Sequence, residues 1–255
     1  MNPRDSRPHS LLLIKSIAYQ VYCHSMANYR KYRMSIPDFS ANRRAMIDSQ
    51  LRTSGISQPW VVAAMGAAAR EDFVPAAMRS VAYMDRSIDL GSGNRWLNPP
   101  IAAAMMMEAG DVSRSDHVLL IGAGSGYLAS LIASRAASVV AVEDDPALFA
   151  LAETRLSVLG NVTVLNNPMP GGAAEHGPYS LIIIDGAVAE LPSALTDQLA
   201  DGGRIVCGLT QNGVTRLAVG YHQGRVAGQA TALRPFADTE IAPLPGFAKK
   251  AEFVF

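Results

Sequence analysis

Two apolar runs, and the residues that end them, constrain this chain more than any other feature. Val118-Leu119-Leu120-Ile121 runs into Gly122-Ala123-Gly124-Ser125-Gly126-Tyr127, and Val139-Val140-Ala141-Val142 ends on Glu143-Asp144. A short aliphatic run stopped by glycines reads as a buried strand entering a turn, because glycine accepts positive φ and bares its backbone. The segment Tyr127–Arg135 between the runs predicts a helix. Strand, glycine turn, helix and acid-tipped strand form the opening unit of a doubly wound α/β sheet. Ligands of such sheets bind outside the carboxyl ends of the strands.

The alternation continues downstream. Pro146–Leu159 predicts a helix, Val162–Leu165 a third strand, Leu181–Ile184 a fourth, Ala194–Leu199 a helix and Arg204–Cys207 a fifth strand. Short aliphatic strands separated by helices imply a mostly parallel sheet covered on both faces. Thr215–Tyr221, Arg225–Thr231 and Glu252–Phe255 predict late strands, partly antiparallel, with a turn at Gln223-Gly224. Upstream, residues 38–80 read as helices, with Ser57 as a cap and Pro59 in the first turn of the second. Tyr83–Pro100 reads as a long loop or short hairpin and residues 101–109 as helix. Three regions are expected: a basic extension over 1–33, a helical cap with a loop over 34–110, and the α/β domain over 111–255. Arg4, Arg7, Lys15, Arg30, Lys31 and Arg33 face the single acid Asp5 in the first of these. Met34 reads as a natural start, and a basic arm for a partner is the other reading.

Composition narrows the function classes. Lys plus Arg and Asp plus Glu both number 22 among 255 residues, so no global field favours nucleic acid or anionic lipid. No apolar run approaches the ~20 residues of a spanning helix. Cys23 and Cys207 are far apart, and the five histidines are scattered. Neither a metal site nor a disulfide framework is expected, and a cytoplasmic location is the simplest.

The bound group expected at the glycine turn carries a ribose. Glu143 at a strand end can accept from both ribose hydroxyls, with Asp144 beside it. Gly122, Ala123, Gly124, Ser125, Gly126 and Tyr127 would line the group. A dinucleotide needs Gly-x-Gly-x-x-Gly or Ala. From Gly122 the sixth position is Tyr127. From Gly124 it is Ala129, a permitted frame that sets the turn late. Tyr127 crowds a pyrophosphate but can cover a smaller ligand, so S-adenosylmethionine, which has no phosphate, fits better than NAD. Asn167 after the third strand either reads the adenine edge or caps a helix, and Asp185 after the fourth faces the same crevice. Pro243-Leu244-Pro245-Gly246-Phe247 is expected to lay a turn against the domain.

From about Met46 to Val206 the chain resembles the protein-L-isoaspartate O-methyltransferases. The shared features are Gln50-Leu51-Arg52, Arg70-Glu71-x-Phe73-Val74-Pro75, Ala82-Tyr83-x-Asp85, Gly122-x-Gly124-Ser125-Gly126-Tyr127, Glu143, Pro178-Tyr179 and Gly202-Gly203-Arg204. The resemblance implies a class I, Rossmann-like methyltransferase fold with a helical N-terminal cap. It also implies carboxyl O-methylation of a peptide, protein or small-molecule acceptor by S-adenosylmethionine, as in repair of isoaspartyl residues. The segment Arg95-Trp96-Leu97-Asn98-Pro99 falls where the family binds its acceptor, and it departs from the family. Leu97 stands in place of a serine, Arg95 of a threonine and Trp96 of an aliphatic residue. Asn167 replaces an acid, and Ser180 the aspartate of a Pro-Tyr-Asp. The expectation is a retained donor pocket and a rebuilt acceptor pocket, with Arg95 pairing an acceptor carboxylate or standing as a solvated loop charge. No catalytic side chain is required, since a carboxylate is ionised at neutral pH. The same fold with another acceptor, a binding protein without turnover, and an NAD-linked oxidoreductase are the alternatives.

Overall fold

The structure is a computed structural model describing residues 38–222 and 231–248. The basic extension over 1–33, the Gln223-Gly224 turn and the strand expected at Glu252–Phe255 lie outside those residues. So does nearly all of the Arg225–Thr231 segment.

Seven strands form one sheet. They are β3 (His117–Ile121), β4 (Ser138–Val142), β5 (Val162–Leu165), β6 (Tyr179–Val188), β7 (Leu199–Gln211), β8 (Val214–Tyr221) and β9 (Leu233–Ala237), ordered β5-β4-β3-β6-β7-β8-β9. The pairs from β5 through β7 are parallel, and β8 and β9 add antiparallel edges. The chain runs outward through β3, β4 and β5, then returns to lay β6 beside β3. That reversal opens a crevice at the carboxyl ends of β3 and β6. Side-chain alternation divides the core. Val118, Leu120, Leu181 and Ile183 pack on one face, and Leu119, Ile121, Ile182 and Ile184 on the other. Both faces are covered, so the central strands tolerate continuous aliphatic sequence.

Helix α4 (Tyr127–Ala133) follows β3 and α5 (Pro146–Leu156) follows β4. Asp145 caps α5, its carboxylate accepting from the Ala147 and Leu148 amides. Strand β6 is longer than expected. It passes through Asp185-Gly186 with a register irregularity between Ile183 and Ala187, so Asp185 lies within the strand instead of beyond its end.

The N-terminal helices are more broken than helical spacing predicts. Helix α1 (Phe39–Met46) passes into a π-turn over Ile47–Leu51, and α2 spans Pro59–Ala67. Single 3₁₀ turns at Arg70–Phe73 and Ala76–Val81 follow, on either side of Pro75. Pro59 takes the first turn of α2 as expected. Ser57 does not cap it: Gln58 holds that place, and Glu108 Oε1 accepts from both the Ser57 and Gln58 amides at 2.8 and 2.7 Å. The loop-or-hairpin segment is a hairpin, β1 (Ile88–Asp89) against β2 (Trp96–Leu97), and α3 (Pro100–Ala109) follows it directly.

Candidate active site

The glycine turn connects β3 to α4 at the crevice. Gly122, Gly124 and Gly126 all have positive φ, which a side chain would strain. The Gly122 and Ala123 amides are tied to Val142 O, so the turn leans on the end of β4. This places Gly124 beside the carboxylate that follows β4.

Glu143 is fully buried. Its Oε2 accepts from the Gly124 amide at 2.6 Å and from Arg95 Nη2 at 3.2 Å, while Oε1 accepts from the Asp145 amide at 3.2 Å. Arg95 is buried too, with 3% of its side chain exposed. It therefore does not stand in solvent. It reaches back from β2 to the residue expected to grip a ribose. Its Nε has no hydrogen-bond partner.

Asn98 extends this cluster. Its Nδ2 donates to Asp185 Oδ1 at 2.7 Å, and its Oδ1 accepts from the Ala242 amide at 2.9 Å. Burial raises the Asp185 carboxyl above its ordinary range, and Asn98 and the two guanidiniums of Arg95 and Arg70 offset only part of that rise. Arg70 is wholly buried, donating to Ala82 O at 2.7 Å and Asn98 O at 2.6 Å over the ring of Tyr127. Two buried cations thus face two buried carboxylates at the crevice.

Several side chains take other places than expected. Tyr127 is buried against Phe73 and beneath Arg70. Ser125 is buried and donates to Phe73 O at 2.5 Å. Gly126 serves packing, since a Cβ there would lie 3.1 Å from Leu156. Asp144 is exposed, and partial burial with the neighbouring Glu143 charge raises its carboxyl. Asn167 is half-buried, and it is Asn166 whose amide donates to Glu143 O. In the acceptor segment Trp96 is half-buried, while Leu97 and Pro99 are buried. Leu97 packs into the apolar core opposite Ile88.

The turn expected around Leu244 does lie against the domain. The Ala187 amide donates to Ala242 O and the Leu244 amide to Ala187 O, both at 2.8 Å, and Leu244 is buried at the glycine turn. Its contacts with Gly122 and Gly186 had no signal in the sequence beyond the proline-leucine-proline spacing.

A family profile described as protein-L-isoaspartate(D-aspartate) O-methyltransferase matches residues 41–230. The chain belongs to this family. Its members are S-adenosylmethionine-dependent carboxyl methyltransferases, and this chain is an enzyme of that kind. A protein-L-isoaspartate O-methyltransferase of Koribacter versatilis is 38% identical over 170 residues, covering 66% of this chain and 76% of the relative. One from Roseiflexus castenholzii is 40% identical over 171 residues, covering 66% and 78%. A solved protein-L-isoaspartate O-methyltransferase superposes with a TM-score of 0.67 at 22% identity, over 80% of this chain and 66% of that one. A Plasmodium falciparum protein of the same description, in complex with S-adenosyl-L-homocysteine, superposes with a TM-score of 0.65 at 16% identity over 79% and 97%. These two likenesses bear on the fold, the mostly parallel Rossmann-like sheet of the class I methyltransferases.

Within the isoaspartyl methyltransferase family frame, the donor set is right in kind but its space is taken. A Cβ on Gly122 would fall 2.7 Å from Arg95 Nη2 and 3.0 Å from Leu244 Cδ1, and one on Gly124 would fall 3.1 Å from Leu90 Cδ1. A nucleoside laid on this main chain would meet those side chains. As arranged, the ends of the Arg95, Leu244 and Leu90 side chains lie over the main chain where the donor would rest.

Proposed function

We propose that this protein methylates a carboxylate, with the isoaspartyl side chain of a protein or peptide as the acceptor class, and that the donor site is the hollow bounded by Gly122–Gly126, Glu143 and Asp185. The observation that carries this reading is the placement of Glu143. A carboxylate at the end of β4, held 2.6 Å from the Gly124 amide, suits the hydroxyls of a ribose and repels a phosphate. An ionised acceptor needs no general base, so the chain's task is placement and exclusion of water. Arg95, Trp96, Leu97, Asn98 and Pro99 form the segment nearest the acceptor in this reading. A cytoplasmic location accords with it, and among the described residues no helix is long and apolar enough to cross a membrane.

A second reading has an observation of its own. Leu97 puts an aliphatic group where the family places a hydroxyl, and it lies in the core. That favours an acceptor other than isoaspartate. Transfer of a labelled methyl group to an isoaspartyl peptide, against its normal aspartyl counterpart, separates the two. Base-labile label on the isoaspartyl peptide alone supports the first reading. Donor binding without that label supports the second.

A further inference from the structure

We infer that Arg95 is an internal occupant of the donor hollow, so that the protein described is a closed form which a nucleoside donor enters only after Arg95 leaves Glu143. The inference rests on the reading that the hollow at Gly122–Gly126 is the donor site. Three features carry it. Arg95 Nη2 sits 3.2 Å from Glu143 Oε2, on the carboxylate that a ribose would need, with both side chains excluded from solvent. The same guanidinium and Leu244 lie at contact or closer with any group added to Gly122, and Leu244 Cβ would lie 2.9 Å from one added to Gly186. The guanidinium is also carried beside the turn of a short hairpin, so that rotation of one side chain clears the hollow while Ile88 and Leu97 stay packed. The hairpin that carries Arg95 pairs through two residues per strand, and its tip turns through Gly91, Gly93 and Asn94 at positive φ. The segment that carries Leu244 is held to β6 by the bridge at Ala187 and Pro243 with its two hydrogen bonds, just beyond it by the Ala189 amide on Phe247 O at 3.2 Å, and to the hairpin by Asn98 and by the Ser87 amide on Glu240 at 3.1 Å, so Leu244 stays in place and Arg95 is the group that moves.

The seat is imperfect, which makes Arg95 exchangeable. A buried guanidinium nitrogen without a partner is a standing cost to the closed form. A ligand whose hydroxyls satisfy Glu143, with Arg95 returned to water, relieves that cost. Closure then acts on affinity by population. If the Arg95-out form is a tenth of the protein or less, the apparent dissociation constant is raised about tenfold or more over that of the open form.

The test is calorimetric titration of S-adenosylhomocysteine into the full-length wild type, Arg95→Ala and Glu143→Ala. Arg95→Met keeps the stem in place if the alanine variant does not fold. The expected result is that removal of the guanidinium tightens binding by at least about tenfold, while Glu143→Ala binds no better than wild type. Equal affinity in wild type and both Arg95 variants, with Glu143→Ala still weaker, overturns the inference and leaves the donor site standing. Glu143→Ala binding as tightly as Arg95→Ala overturns the donor-site reading instead. Absence of binding in every form overturns both. A ligand-free readout checks the ion pair directly: the melting temperatures of Arg95→Met, Glu143→Gln and the double variant. The double variant should melt no lower than the worse single one, and strict additivity of the two losses would rule out the pair.

Discussion

Asn98 and Asp185 meet across the carboxyl end of the sheet, with Asn98 Nδ2 donating to Asp185 Oδ1 at 2.7 Å. The same side chain accepts the Ala242 amide, so one amide joins the hairpin, the central strand and the segment around Leu244. Three of the residues read as departing from the family pattern, Arg95, Trp96 and Leu97, lie just before it. Asn98 is thus where the altered segment is anchored to unaltered fold.

Asn98→Ala leaves the Asp185 carboxylate and the Ala242 amide each short of a partner. An unsatisfied buried group costs about 1–3 kcal/mol. The variant should lose at least that much in urea denaturation and should expose the 240–247 segment to protease before the rest of the domain. An unchanged midpoint and cleavage pattern would show that Asn98 is not the tie.

Asp185 has its carboxyl raised by burial, so the folded state holds a proton that the unfolded state has already released. The penalty is absent below the ordinary carboxylate value, near 4, and grows as pH rises from there toward the folded value. Asp185→Asn keeps an acceptor for Asn98 and carries no charge. Relative to wild type it should gain stability as pH is raised from 4 to 7, measured by urea midpoints across that range. A constant difference at all pH values counts against a desolvated carboxyl.

Asp116 behaves in the opposite sense. Burial works against its charge, but Arg204 at 2.6 and 3.0 Å, Ser180 at 2.7 Å and the Ser113 amide at 2.6 Å hold it down to about 2. The stability it adds is present above the unfolded value near 4 and is lost as pH falls toward 2. That contribution is on the order of 2 kcal/mol. Asp116→Asn should flatten acid unfolding between pH 4 and 2, and a wild-type-like acid limb would refute the assignment. The cluster also explains Ser180: its hydroxyl braces Asp116 and accepts the His117 amide at 3.1 Å.

The sheet was legible because its evidence is local. Strands β3, β4 and β5 announce themselves by aliphatic runs, and the glycine turn by composition. The family motifs were legible as motifs but not as structure. Glu71 and Tyr83 form a network in which Tyr83 donates to Glu71 and Arg43 binds both, which braces the N-terminal helices, while Arg70 turns instead to Ala82 O and Asn98 O at the crevice. Arg95 was opaque for a physical reason. Whether an arginine points to solvent, to a substrate or to a carboxylate 48 positions away depends on a hairpin register that spacing does not encode. The same holds for Leu244, whose apolar character called for burial but named no partner. Asp185 was misplaced to the end of its strand because the glycine after it looks like a stop, whereas here it lets Leu244 approach the strand.

Leu97 is where the sequence and the structure pull apart most usefully. Read as a lost hydroxyl, it predicts that Leu97→Ser restores methylation of an isoaspartyl peptide. The structure buries Leu97 at 4% exposure opposite Ile88, within the apolar cluster. Truncating a buried leucine costs about 2–5 kcal/mol, and a serine there adds a hydroxyl to desolvate. Leu97→Ser alone should therefore lower the melting temperature and raise no activity, because Arg95 still fills the hollow. Arg95→Thr with Leu97→Ser restores both family residue types and empties the hollow together. If Arg95 is what closes the site, the double variant should incorporate labelled methyl at least about tenfold faster than either single variant, despite its lower stability. Gain in Leu97→Ser alone would show that the hollow opens without help, and that the hydroxyl was the missing part all along.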